Sequence, residues 1–231
     1  MRRLSAASLL LIVLAPHSQA GELAVEGQVG YFDMAAKDSA QAVFGSSGGL
    51  TFGGAVRYNV WRGVFASAGV RTFSKEGERV FLLSPGGPVQ KLGFPVSLRL
   101  TPVLLMAGYR YQHGQLIVPY AAVGAAITSY SETSDVAGES LDLDASKTGF
   151  VAAAGVEYGR GMLRGGLEVG YSTVSGVVGL GGVTKVYGED DIGGFHVVGK
   201  VVVAFNLGRS TPPKPKPGPP TAQPKPAKPT P

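Results

Sequence analysis

Eight segments of this sequence alternate large apolar residues with small or polar ones, and this pattern restricts the possible folds more than any other feature. Side chains alternate faces along a β-strand, so each segment has one apolar face and one face of Gly, Ala, Ser and isolated charges. In the last segment, GGFHVVGKVVVAFNLG, Val197, Val201 and Phe205 share one face and Lys200 lies on the other. Such alternation predicts strands that meet an apolar environment on one side only.

The connections between the eight segments are alternately long and short. The long ones are residues 35–45, 75–94, 132–146 and 175–193, and the short ones are residues 61–63, 112–116 and 159–161. Bacterial outer-membrane barrels combine short periplasmic turns with long extracellular loops, and their even strand number places both termini on one side. The sequence therefore predicts an all-β fold, an eight-stranded antiparallel up-and-down transmembrane β-barrel, and it predicts no helix between residues 21 and 208.

Aromatic residues concentrate near the ends of the segments, as they do in the two interfacial girdles of membrane barrels. The alternative is that they form an ordinary apolar core. The girdle expected at the periplasmic rim is Tyr58, Trp61, Tyr109, Tyr111, Tyr120, Tyr158 and Phe205, and the one expected at the outer rim is Tyr31, Phe73, Tyr130, Tyr171 and Phe195. In the fourth segment the apolar face changes parity near Pro102, which predicts a β-bulge there.

The face opposite the large apolar residues is expected to line the barrel interior, where eight strands leave little space. Isolated charges on this face are expected to pair across the lumen, because an unpaired buried charge is strongly destabilising. The predicted lumen charge network is Glu26, Arg57, Arg71, Glu157, Arg164, Glu168 and Lys200. Lys200 is expected to pair with Glu157, Glu168 or Glu26, while its neighbour Val201 faces lipid.

The two ends of the chain differ from the segments between them. Residues 1–20 have a basic start, an apolar run and small residues at 18 and 20, which predicts a cleaved signal peptide. Residues 209–231 are rich in Pro and Lys, which predicts a disordered tail in the periplasm, where it could reach peptidoglycan. The barrel domain is predicted to comprise residues 21–208. No cysteine is present, so disulfides do not stabilise it.

Composition and motifs provide little support for catalysis, cofactors or nucleic-acid binding. The formal net charge is +5, but residues 21–208 hold 14 basic and 16 acidic residues, so no nucleic-acid partner is expected. His113 and His196 are each alone and no G-x-S-x-G motif occurs, so no catalytic residue and no cofactor is expected. The acidic loop residues match no complete coordination loop, which favours solvated charge over a metal site. They are Asp142, Asp144, Glu189, Asp190 and Asp191.

Three short motifs carry a family resemblance: YRY at the end of the fourth segment, PYAAVGAA at the start of the fifth and VVVAF in the last. With the eight-fold pattern, residues 21–208 resemble the small outer-membrane barrel domain of OmpX-, Ail- and OmpA-type proteins. The resemblance implies an integral outer-membrane monomer that contacts membrane lipid and lipopolysaccharide. It also implies insertion by the outer-membrane assembly machinery, which reads an aromatic-ended last strand, although here a tail follows Phe205. The peptidoglycan-binding domain of OmpA-like proteins is not carried over.

Three functions remain compatible with the sequence. The first is a non-enzymatic structural or surface-interaction protein, with a lumen filled by side chains and long loops that meet other cells, host factors or lipopolysaccharide. The second is a lipid A-modifying enzyme, and the third is a narrow-pore channel. An eight-stranded interior excludes a wide diffusion pore.

Overall fold

The computed structural model describes residues 21–82, 88–111, 116–136, 139–176 and 187–207. Eight antiparallel strands form a closed barrel in chain order, and β1 pairs with β8 to close it. The predicted fold class is confirmed. The elements are β1 (Glu22–Met34), α1 (Lys37–Phe44), β2 (Gly48–Trp61), β3 (Val64–Leu82), β4 (Val89–Arg110), β5 (Ile117–Val136), β6 (Glu139–Tyr158), β7 (Leu163–Thr173) and β8 (Gly194–Asn206). The predicted signal peptide and Pro/Lys-rich tail lie outside the described residues.

The outer surface of the barrel carries a continuous apolar band. Val29, Phe52 and Val201 have 62%, 62% and 58% of their surface exposed, which is unfavourable in water and favourable against lipid. On β2 the band runs from Leu50 to Val60 and on β8 from Phe195 to Phe205, which matches the length of about 9–11 residues that a tilted strand needs to cross a bilayer. Aromatic side chains such as Trp61 and Tyr171 point outward at its two edges.

Three residues assigned to the girdles point into the barrel instead. Tyr120, Phe73 and Tyr130 are 7%, 2% and 1% exposed. Each of these residues occupies an inward-facing position in the alternation of its strand. The alternation, and not the closeness to a strand end, therefore decides which way the side chain points. The other residues expected in the girdles face outward, as illustrated by Tyr158 at 60% exposed.

Strands β3 to β6 continue well beyond the band, with 19, 22, 20 and 20 residues, whereas β1 and β8 have 13 each. Much of the connections expected at 75–94 and 132–146 is therefore strand. In this extension the polarity of the two faces is inverted: Leu98 and Leu100 are buried inside, and Ser97 and Arg99 are exposed outside. The inversion follows from the change of solvent, because the surface beyond the bilayer meets water.

This inversion also explains why no bulge forms at Pro102. Pro102 pairs with Thr128 within a β4–β5 register that is unbroken from Val96 to Arg110. What changes is that the apolar side chains move from the inner to the outer face where β4 enters the membrane. The register shift of β4 lies further out against β3, where Gly93 has a φ of 74°, a left-handed conformation that suits glycine.

The expectation that the barrel domain has no helix was wrong, because the first long connection contains α1. Eight residues rarely form a stable helix alone. Here α1 packs into the outer mouth through buried Ala40 and Val43, and it ends at Gly45 with a φ of 74°. It also lies against the free edge of β3, where a Cβ on Gly77 would collide with the Val43 carbonyl oxygen. Within the described ranges, no helix is long and apolar enough to cross a membrane.

Candidate functional site in the barrel interior

Glu168 is the centre of the outermost ion-pair group inside the membrane-spanning part of the barrel. Its carboxylate accepts a hydrogen bond from Arg71 Nη2, another from the Tyr120 hydroxyl at 2.8 Å, and a third from Lys200 Nζ at 3.0 Å. Arg71 Nε also donates to Gln28 Oε1 at 2.8 Å. Glu168 comes from β7, and the other members come from β1, β3, β5 and β8, so the group links strands on all sides of the lumen.

A second group lies below the first, around Glu157 on β6. Its two carboxylate oxygens bind Arg57 Nη1 and Arg110 Nη2, the latter at 2.6 Å. Arg57 Nη1 also lies 2.7 Å from Glu26 Oε1, and Lys200 Nζ lies 2.9 Å from Glu26 Oε2. Glu26 and Lys200 therefore connect the two groups into a continuous network along the barrel axis.

The network ends around Glu22, at the end of the barrel where β1 begins and β8 ends. This carboxylate binds Arg164 through both guanidinium Nη atoms, Arg110 Nη1 at 3.1 Å and the Asn59 amide at 2.8 Å. Bidentate pairs of this kind fix both the distance and the orientation of the two groups. The first residue of β1 is thereby attached to β2, β4 and β7 at the point where the barrel begins.

The structure brings all seven sequence-predicted lumen residues into the interior and places them within this network. Lys200 contacts Glu26 and Glu168 and not Glu157. The network also includes five residues that were not expected there, which are Glu22, Gln28, Asn59, Arg110 and Tyr120. Arg110 had a readable signal: Tyr109 and Tyr111 on either side face lipid, so alternation turns Arg110 inward.

His196 faces the interior and not the lipid, as its parity indicates. It is 4% exposed, its Nε2 lies 3.5 Å from Glu168 Oε1, and its ring packs over Gly170, where a Cβ would come within 2.5 Å of His196 Cε1. A side chain in this position cannot reach an acyl chain or a headgroup outside the barrel. His113 lies outside the described residues.

Two small cavities lie in the barrel interior. One of about 30 Å³ lies above the network among Phe32, Phe73 and Leu100, with Arg71 and His196 in its floor. Another of about 20 Å³ lies within the network beside Arg57 and Ser67. Each volume holds one or two water molecules. Arg57 Nε and Nη2 and Ser67 Oγ have no protein partner, and a water in the second cavity would satisfy such groups.

The outer mouth is closed by α1 and the turn that follows it, and together they are attached to three parts of the barrel. Glu189 Oε2 accepts a hydrogen bond from the Ser39 amide at 2.8 Å, Lys75 Nζ donates to the Ser46 and Gly48 carbonyl oxygens at 2.8 Å each, and Asp33 accepts a bond from the Ser47 hydroxyl. Beyond the membrane edge, the hydrogen bond from Ser47 lowers the pKa of Asp33, and burial lowers the pKa of Lys75.

The acidic loop residues do not form a metal site in the described part of the chain, which contains no group of carboxylates or histidines able to hold a metal ion. Two of the five have structural contacts instead. Glu189 binds the first turn of α1, and Asp191 Oδ1 accepts hydrogen bonds from the amides of Val174 at 2.7 Å and Gly193 at 2.8 Å.

A closed eight-stranded barrel with an apolar exterior and a charged interior has the geometry of an outer-membrane protein. A family model described as "Outer membrane protein beta-barrel domain" matches residues 4–172 of the chain. The chain belongs to this family. The match extends across the first six strands and most of β7, so the outer-membrane barrel predicted from the sequence is confirmed.

Solved structures of low sequence identity share the fold. A major outer membrane protein from Thermus thermophilus is 12% identical with a TM-score of 0.52, and the alignment covers 81% of this chain and 100% of that one. OprG from Pseudomonas aeruginosa is 13% identical with a TM-score of 0.50, covering 81% and 97%. A comparison with curated protein sequences found no significant match.

Proposed function

We propose that this chain is a non-enzymatic outer-membrane protein that holds a rigid protein surface outside the cell. The observation that supports this most directly is the extension of β3 to β6, which continues the barrel wall beyond the membrane. Strand pairing in it reaches as far as Leu82 opposite Val89 and Val136 opposite Glu139. A sheet of this length presents a larger and more rigid surface than loops do.

The closed lumen favours this function over the narrow-pore alternative. A solute would have to cross α1, an apolar layer that includes Leu98 and Leu100, and then the ion-pair network. Opening the network would leave buried charges unpaired, which costs about 3–5 kcal/mol for each broken pair. Purified protein in planar bilayers should therefore show no steady ion current, and a stable single-channel conductance would contradict the proposal.

The lipid A-modifying alternative requires a reactive group on the lipid face, and His196 lies inside the barrel. A non-enzymatic protein should leave lipid A unchanged. Mass spectrometry of lipid A from bacteria with and without the gene should thus give the same acylation pattern. A difference restored by the wild-type gene would show that the protein is an enzyme.

The decisive experiment shortens the extension without altering the barrel in the membrane. One variant replaces residues 78–95 with Asn-Gly, which joins the paired residues Gly77 and Val96, and a second replaces residues 134–141 with the same turn, which joins the paired residues Thr133 and Asp142. Attachment of producing bacteria to host cells and to one another should fall in at least one variant, while heat-modifiable migration on unboiled gels shows that the barrel still folds. Unchanged attachment in both variants would exclude a surface-interaction role of the extension.

The chain ends have separate roles in this proposal. Residues 1–20 act as a cleaved export signal, the barrel inserts as a monomer through the outer-membrane assembly machinery, and residues 209–231 extend into the periplasm as a cationic arm. Because charge attraction weakens as salt screens it, binding of this arm to peptidoglycan should be salt-sensitive. Deleting residues 209–231 should abolish that binding and leave the barrel folded. Equal sedimentation of both forms with purified peptidoglycan would contradict the role of the arm.

A further inference from the structure

We infer that Arg99 binds a phosphate group of the outer-leaflet glycolipid, at the level of its headgroup, on one side of the barrel. This inference is independent of the surface-interaction role proposed above, because it concerns the contact of the barrel wall with its own membrane. It rests on three observations: where the apolar band ends, what surrounds Arg99, and which other cations are available at that height.

On the adjacent strands β3, β4 and β5, the apolar band ends at residues that pair with one another. Val70, Val103 and Ile127 form the last apolar row, because Val70 pairs with Val103 and Val103 pairs with Ile127. Two residues further out, the outward positions of these strands are the hydroxyl residues Thr72, Thr101 and Ser129. This change from aliphatic to hydroxyl side chains marks the boundary between hydrocarbon and headgroups.

Arg99 lies one row beyond this boundary, on the outward face of β4. It is four residue steps from Val103, which is about 13 Å along the strand and about 10 Å along the membrane normal for a tilt of roughly 40°. An exposed arginine at this height can extend its apolar stem back along the wall and keep its guanidinium among the headgroups. Its planar fork of N–H donors matches phosphate oxygens.

The residues directly opposite Arg99 on the two neighbouring strands carry hydroxyl groups and not carboxylates. Ser74 on β3 and Ser131 on β5 lie directly opposite it. The outward carboxylates of the same sheet are further away: Glu76 lies one row further from the membrane, and Asp144 lies two strands away. In the part of the chain that the structure describes, Arg99 forms no ion pair and no hydrogen bond, so its charge is available to a ligand.

Most other cations near the outer mouth are already engaged or point elsewhere, and Arg79 lies at the β3–β4 register shift, five residues further out along β3 than Ser74, the partner of Arg99. Lys37 Nζ lies 3.0 Å from Asp33, Lys75 binds backbone carbonyl oxygens, and Lys91 lies 3.6 Å from Glu78. Lys147 is exposed but lies on the inward parity of β6. The outer edge on the opposite side of the barrel carries apolar groups such as Tyr31 and Phe195. The phosphate contact is therefore confined to the β3–β5 side.

The test measures lipid binding to the full chain folded in detergent micelles, using native mass spectrometry. The probes are diphosphoryl lipid A, the same lipid A after removal of both phosphates, and phosphatidylglycerol. Wild-type protein should prefer the diphosphoryl form, and Arg99→Gln should raise the dissociation constant for that form about tenfold, the usual effect of losing a hydrogen bond to a charged group. It should not change binding of the dephosphorylated form.

Lys147→Gln is the matched control, because it removes one exposed positive charge from the same extension but from the other face. It should bind like the wild type. Equal losses in both variants would show diffuse charge attraction and overturn the site, as would unchanged binding by Arg99→Gln. If phosphatidylglycerol showed the same dependence on Arg99, or if an excess of inorganic phosphate displaced lipid A by mass action, the site would be a general anion site and the glycolipid assignment would be wrong.

Discussion

Lys200 and Glu168, on neighbouring strands, meet in the barrel interior with 3.0 Å between Nζ and Oε2. Lys200 also contacts Glu26, so one ammonium group lies between two carboxylates that come from opposite sides of the β8 strand. The inward face of β8 is therefore fixed by these ion pairs, just as its outward face is fixed by contact with lipid.

Replacing Lys200 with leucine should destabilise the barrel by about 3–5 kcal/mol, because Glu26 and Glu168 lose a shared cation inside a narrow lumen. Equilibrium unfolding in urea with lipid vesicles measures this free energy. The additional change Glu26→Gln should restore part of the loss. If Lys200→Leu and the wild type had the same midpoint of unfolding in urea, the Lys200 ammonium group would not be needed in the network.

Placing a lysine at the neighbouring position tests the opposite face. Val201→Lys puts a charge against the hydrocarbon and should cost about 2–4 kcal/mol near the middle of the membrane. The same urea titration applies, and Val201→Leu is the control that should behave like the wild type. A fully stable Val201→Lys protein would mean that the two faces have been assigned the wrong way round.

Two glycines of β7 should respond differently to alanine. A Cβ on Gly170 would come within 2.6 Å of His196 Nε2 and 2.7 Å of the Ala152 carbonyl oxygen, whereas a Cβ on Gly165 meets nothing within 4 Å. Gly170→Ala should therefore cost about 1–3 kcal/mol through overpacking, and Gly165→Ala should be close to neutral. Adding His196→Ala to Gly170→Ala should recover part of the stability. Equal stabilities of the two single variants would contradict the packing described.

The carboxylate of Glu189 should stabilise α1 from outside the helix, because it accepts hydrogen bonds from the Asp38 amide at 3.3 Å and the Ser39 amide at 2.8 Å. Glu189→Ala should cost the helix about 1 kcal/mol, as the loss of an N-terminal cap does. Amide hydrogen exchange of residues 39–44 should then be about fivefold faster. Asp190→Ala, which leaves these bonds in place, is the control. No change in exchange would show that α1 does not depend on Glu189.

Acid should loosen the same part of the mouth through Asp33. The Ser47 hydroxyl, followed by Lys37, holds the pKa of Asp33 below its usual value of 3.8. A carboxyl with a lowered folded pKa contributes stability at pH values above its usual pKa, and this contribution is lost as the pH falls through the folded pKa. Exchange in residues 45–48, corrected for the intrinsic effect of pH, should increase in the wild type below that range. Asp33→Asn should lack this increase, and an identical acid response in both would contradict the assignment.

The membrane-spanning part of the fold was predictable because lipid outside and a narrow lumen inside impose opposite requirements on alternate residues. Val201 and Lys200 illustrate this constraint. The extension was not predictable in the same way, because its outer face meets water and so carries polar residues while its inner face carries apolar ones. In the sequence, the switch of the apolar residues from one face to the other near Val103 looks the same as a β-bulge. Residues such as Glu76 and Asp142 then resemble loop residues although they lie in strands.

For the interior site, the sequence predicted which residues face the lumen but not which of them form ion pairs with each other. Parity placed Lys200 and Glu168 in the lumen, but the choice between Glu157 and Glu168 depends on the stagger between strands. Glu22 was missed because it begins a strand and has a single neighbour to define its face. Helix α1 was missed because its stability comes from contacts such as that between Ser39 and Glu189, which are 150 residues apart.

The inverted polarity of the extension has a consequence for how the protein reaches its final position. Each of the hairpins β3–β4 and β5–β6 has to carry a hydrophilic outer wall, including Arg99 and Asp144, through the hydrocarbon before the ring closes. Charged groups near the bilayer centre are expensive, so this passage limits the speed of unassisted insertion. Insertion should be faster in thinner bilayers, and the kinetic barrier should fall when Arg99 or Asp144 is neutralised, even where the final stability does not change.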